Sequence, residues 1–176
     1  MSPGKRVLIV DDELTTLDFH IRDLEQNGFR VERVEDVSDA LRFALSNAPE
    51  HRFDAIVLDM MMPPGRIVEA HRVRQGLSTG AFLLNRFREN GHQSPVLILT
   101  NLRVDEVLEF LREQDQFARL LADLPHDESA AAEPLWAALR TRVEEKRRMP
   151  WFRLAPFLSD IIDGRAPREM TAPRRS

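Results

Sequence analysis

Residues 53–65 read FDAIVLDMMMPPG, and the fold turns on this stretch. The run Ala55–Leu58 has no polar side chain, as suits a strand covered on both faces in a parallel sheet. One carboxylate, Asp59, ends the run, and Met60, Met61, Met62, Pro63 and Pro64 follow at once. An acid at the mouth of a core needs either a partner or a task.

Short apolar runs and longer helical patterns alternate on both sides of it. Arg6–Val10 precedes a helical pattern over 14–27, and Arg30–Val34 precedes one over 38–47. Ala55–Leu58 is followed by 79–90, and Val96–Thr100 by 104–113. A weaker run over 117–121 comes before a helical stretch expected from about 129 to 148. Five such repeats predict an α/β fold with crossover helices on both faces of a parallel sheet. Gly28 and Gly91 stand where left-handed residues would end the first and third helices.

Composition limits the rest. The 176 residues are 43% hydrophobic, enough for one core but not for two complete ones. With 25 basic against 29 acidic residues the formal charge is −4, which points to neither nucleic acid nor a membrane surface. The absence of cysteine removes disulfides, thiolate metal sites and cysteine nucleophiles. No apolar run approaches the roughly 20 residues of a membrane span, so a cytoplasmic protein is expected. Lysine occurs only as Lys5 and Lys146. The histidines show no paired metal spacing, and no P-loop, G-x-S-x-G or dinucleotide motif is present.

In an open parallel sheet, ligands bind beyond the carboxyl ends of the strands. The first strand runs into Asp11, Asp12 and Glu13, the third into Asp59, and the fourth into Thr100 and Asn101. Like charges gathered there repel by ~1 kcal/mol per pair at 4 Å in water and by several times that in a less polar site. A cation is therefore expected, and an all-oxygen set suits Mg²⁺. Its predicted ligands are Asp11, Asp12, Asp59 and the main-chain carbonyl of Met61.

VLIVDDE at residues 7–13, VLDMMMP at 57–63 and VLILTN at 96–101 together resemble the signature segments of the response-regulator receiver domain of two-component systems. That resemblance implies a flavodoxin-like (CheY-like), doubly wound five-stranded sheet of order 2-1-3-4-5. It implies Asp59 as phosphoacceptor, Asp11 and Asp12 as Mg²⁺-binding acids, and Thr100 as the switch hydroxyl. The implied donor is a histidine kinase or phosphotransfer protein, with no enzymatic turnover beyond autophosphorylation and autodephosphorylation.

The family expects a Lys-Pro pair after strand five. With that strand read over 117–121, Pro125 matches the proline, Leu124 stands in the lysine position and Leu121 in the aromatic switch position. Arg66, Arg72, Arg74 and Arg119 are candidate substitutes for the missing charge, with Arg103 considered beside them. On this reading the receiver spans residues 1–148, with a long insertion at 65–80. Residues 149–176 are expected to form an amphipathic helix and a disordered tail, the helix packing on the body, pairing with a second copy or entering a partner's groove. No DNA-binding or membrane segment is expected, so output runs through a downstream protein partner. The rival reading is a degenerate receiver acting as a phosphate-independent interaction or dimerisation module.

Overall fold

The computed structural model describes residues 4–66, 68–124 and 128–165. Five parallel strands, β1 (Arg6–Val10), β2 (Arg30–Val34), β3 (Ala55–Leu58), β4 (Val96–Thr100) and β5 (Thr141–Glu145), lie in the order β2-β1-β3-β4-β5. This is the expected flavodoxin-like order. Register aligns the strand ends, with Val10 opposite Val34 and Leu58, Leu58 opposite Ile98, and Thr100 opposite Glu145.

Alternation along the strands feeds two apolar layers. Leu8, Val10, Ile56, Leu58 and Ile98 face a layer containing residues of α2 (Val37–Ala44), α3 (Thr79–Glu89) and α4 (Val104–Arg112). Val7, Ile9, Val57, Leu97 and Leu99 face α1 (Asp18–Gln26) and the last helix. Asp36 caps α2 by accepting the Ser38 N–H at 2.7 Å. Gly28 and Gly91 follow α1 and α3 with φ of 84° and 81°, the left-handed conformation their positions predicted.

The fifth strand is not where its apolarity suggested. Residues 115–118 form the short helix α5 (Asp115–Ala118). The chain then stays in local turns: Leu121 N–H donates to the Phe117 carbonyl at 2.9 Å and Leu124 N–H to that of Leu121 at 3.2 Å. Phe117, Leu121 and Leu124 are buried in the core as packing residues. Pro125 lies outside the described residues.

The expected helix over 129–148 ends early, as α6 (Glu128–Leu139), and β5 follows it. This strand reads TRVEE, too polar to announce itself, and its buried Thr141, Arg142 and Glu145 each find a polar partner among neighbouring groups. Arg142 pairs with Glu133 at 2.7 Å and stacks over Trp136 at 5.3 Å.

The C-terminal stripe is part of the body. In α7 (Leu154–Ile162), Leu154, Ala155, Phe157, Leu158 and Ile161 are buried against β1, β3 and α1. It covers one face of the sheet, so this apolar surface is not free for a second copy or a partner's groove. Among the described residues no helix is long and apolar enough to cross a membrane.

Arg88 joins the segments that feed β4 and β5. Its guanidinium donates to the carbonyls of His92 (2.6 Å), Ser94 (3.0 Å) and Leu139 (2.8 Å). Burial, with the charge of Arg140 adding to it, lowers its pKa to about 10. Replacing it by Met strands three carbonyls, some reachable by water, so Arg88→Met is expected to cost about 2–4 kcal/mol. The urea unfolding midpoint measures this.

Candidate phosphoacceptor site

The acids stand where the sheet hydrogen bonding runs out. Asp11 N–H still donates to the Val34 carbonyl at 3.0 Å, and Asp59 N–H to that of Val10 at 2.9 Å. Each carboxylate is thus one residue past its strand, held by the neighbouring strand. Asp11 and Asp59 are buried, whereas Asp12 is exposed. Carboxylate oxygens of the three lie within 4.8 Å of one another. The Asp12 pKa is raised, first by desolvation and then by the charges of Asp59 and Glu13 against the opposing pull of its own backbone N–H and Lys146.

Lys146 supplies the cation. Immediately after β5, its ammonium lies 2.7 Å from Asp11 Oδ2 and 2.9 Å from Asp59 Oδ2, with the side chain only 11% exposed. Burial disfavours this charge, but the hydrogen bonds and negative charges of Asp11 and Asp59 outweigh it, and the Lys146 pKa is raised. The lysine expected at Leu124 is therefore present at another place, and the charge was never missing. Three residues before it, where the family resemblance calls for an aromatic, stands half-buried Val143.

The proposed substitutes are engaged or exposed elsewhere. Arg74 pairs with Glu113 and stacks over Phe110 at 5.1 Å, Arg72 pairs with Glu69 at 2.9 Å, and Arg103 pairs with Asp105 at 2.9 Å. Arg66 and Arg119 are exposed. Among the described residues, Lys146 is the cation paired with Asp59. Thr100 is fully buried at the end of β4, and its Oγ accepts the Leu102 N–H at 3.4 Å.

The loop after Asp59 is fixed from the far side of the 65–80 insertion. Met61 N–H points to Asp59 Oδ1 at 3.4 Å. Met62 N–H donates to the Gly76 carbonyl at 3.1 Å, and its own carbonyl accepts the Thr79 hydroxyl at 2.7 Å. Within α3, Gly80 N–H donates to the Met60 carbonyl at 3.0 Å. A Cβ on Gly80 would lie 2.2 Å from the Asp59 carbonyl oxygen and 2.8 Å from the Met60 Cα, so only glycine permits this approach. The insertion contains a 3-10 segment, Ala70–Gly76, in which Arg74 and Gln75 have φ of 47° and 58°.

The three acids offer only oxygen donors on adjacent strand ends, a set that fits a hard divalent cation such as Mg²⁺. Lys146 engages one oxygen of Asp11 and one of Asp59 and leaves the second oxygen of each outside its bonds.

The acids at the carboxyl edge of this sheet stand where the receiver resemblance expects them. The family described as "Response regulator receiver domain" matches residues 7–116, and the chain belongs to it. Response regulator MprA of Mycobacterium sp. (strain KMS) is 34% identical over 95 residues, which are 54% of this chain and 34% of that protein. The alkaline phosphatase synthesis transcriptional regulatory protein SphR of Synechococcus elongatus is 33% identical over 91 residues, 48% of this chain and 35% of that protein. The match thus spans about a third of the length of these relatives.

Solved structures support the fold. The CheY-like receiver domain protein of Methanospirillum hungatei JF-1 superposes with a TM-score of 0.59 at 18% identity, covering 92% of this chain and 95% of that one. The receiver domain of Francisella response regulator 1452 gives 0.56 at 20% identity, covering 92% and 98%.

Gly80→Ala must push α3 away from the Asp59 loop. The expected cost is about 1–3 kcal/mol, measured by chemical denaturation, as for other overpacked sites.

Proposed function

We propose that the chain accepts a phosphoryl group on Asp59 from a histidine kinase or phosphotransfer protein in the cytoplasm, with Mg²⁺, and signals through a protein partner. The observation that carries this reading is the Lys146 ammonium bonded to both Asp11 and Asp59 at the strand ends. A carboxylate is a weak nucleophile, and phosphoryl transfer depends mostly on positioning and on neutralising the phosphoryl oxygens.

In the proposed step an Asp59 oxygen forms a P–O bond as the P–N bond to the donor imidazole breaks. The imidazole leaves with the electron pair and takes a proton from water. Asp11, Asp12, Asp59 and the Met61 carbonyl would hold Mg²⁺, which supplies charge neutralisation for the phosphoryl oxygens. Lys146 would turn from the Asp59 carboxylate to the new phosphoryl group, and the Thr100 hydroxyl would donate to the same group.

The rival reading, a phosphate-independent interaction module, rested on Leu124 in the lysine position and Leu121 in the aromatic position. With Lys146 in the site, its remaining support is Val143, which removes an aromatic from the readout path and leaves the acceptor chemistry untouched. Incubation with Mg²⁺ and acetyl phosphate followed by intact-mass measurement tests the proposal. A single phosphoryl adduct is expected on the wild type and none on Asp59→Asn. Absence of the adduct from both, with presented kinases also failing, contradicts it.

A further inference from the structure

Lys146 reaches Asp59 and Asp11 from the end of β5, with Arg147 after it where the family resemblance expects proline. The backbone beyond Lys146 therefore lacks the ring that would fix its φ. Another constraint stands beside it. Glu145, at the last position of β5, is buried to 3% exposure, and the register sets it opposite fully buried Thr100. A buried carboxylate is costly unless it is paired.

Its partners are the two residues that follow Lys146. Arg147 Nε donates to Glu145 Oε2 at 2.5 Å, and Arg148 Nε lies 3.4 Å from the same oxygen. Both arginine side chains are largely exposed, so the acid draws them back over the strand end. That draws the chain into the 3-10 turn Lys146–Arg148, closed by Met149 N–H on the Lys146 carbonyl at 3.2 Å. Met149 is buried, and His20 Nε2 donates to its carbonyl at 3.0 Å, tying the end of the turn to α1.

We propose that Glu145 is a positioning residue: its clasp on Arg147 and Arg148 sets the turn that aims Lys146 at Asp59 and Asp11. The significance of that aim rests on the phosphoacceptor reading, but the clasp itself does not.

The chain's two lysines make the test direct, because Lys5 serves as an internal reference. Its side chain is 38% exposed and paired with Asp163, away from the site. The folded chain is treated with a limiting amount of N-hydroxysuccinimide acetate, and acetylation of each lysine is read by peptide mass spectrometry. In the wild type, Lys146 should react at least about tenfold more slowly than Lys5, since it must open locally first.

Glu145→Gln keeps the shape and removes the charge. It should speed Lys146 labelling severalfold and leave Lys5 unchanged. The exposed double variant Arg147→Gln/Arg148→Gln should do the same even if Glu145→Gln does not fold. Joining all three changes should add nothing, as expected for residues acting as one unit.

Unchanged Lys146 labelling in the double variant overturns the proposal, and so does an equal rise at both lysines, which marks general loosening. No phosphoryl donor is present, so the outcome is independent of whether Asp59 takes up a phosphoryl group.

Discussion

The ammonium of Lys146, bonded to Asp11 and Asp59, is the interaction on which the site depends. Two buried carboxylates on adjacent strand ends repel each other strongly in so dry a place. The sheet order makes their approach unavoidable, because β1 and β3 are neighbours and each acid is one residue past its strand. Lys146 must reach past the end of β4 to meet them, so the alignment of β5 decides whether the site is electrostatically closed. The rest of the fold sets that alignment: α7 covers the sheet from one side, and Arg88 ties the entrances of β4 and β5 together.

Much of this was legible in the sequence. The continuously apolar runs of β1, β3 and β4 gave away the buried strands, and the acids following them located the rim. Strand five was hidden for a physical reason. Edge strands need not be apolar when neighbouring side chains pair with or stack on their polar groups, as Glu133, Trp136, Arg147 and Arg148 do for TRVEE. The run at 117–121 competed because burial in a turn demands apolar residues as surely as burial in a strand does. A signal was nevertheless present. Only two lysines exist, and Lys146 stands between the β-branched TRVEE segment and the amphipathic stripe of α7, the order of a last strand, a site residue and a last helix.

The long segments on either side of α3 and α4 change the surroundings of the site without changing its chemistry. The 65–80 insertion meets the Asp59 loop through Met62 and reaches the end of α4 through Arg74 and Glu113. Among the described residues of 101–140 three helices lie between β4 and β5, and the sheet continues to Glu145, beyond the family match, which stops at 116.

A double-mutant cycle read from urea unfolding midpoints tests the closure of the site by Lys146 most directly. Lys146→Met removes the ammonium that lies 2.7 Å from Asp11 and 2.9 Å from Asp59, and Asp59→Asn removes one of the charges it pairs with. If Lys146 closes the site, the effect of Lys146→Met on stability differs by about 0.5–3 kcal/mol between the wild-type and Asp59→Asn backgrounds, the loss being greater in the wild type. An equal effect in both backgrounds would contradict the closure.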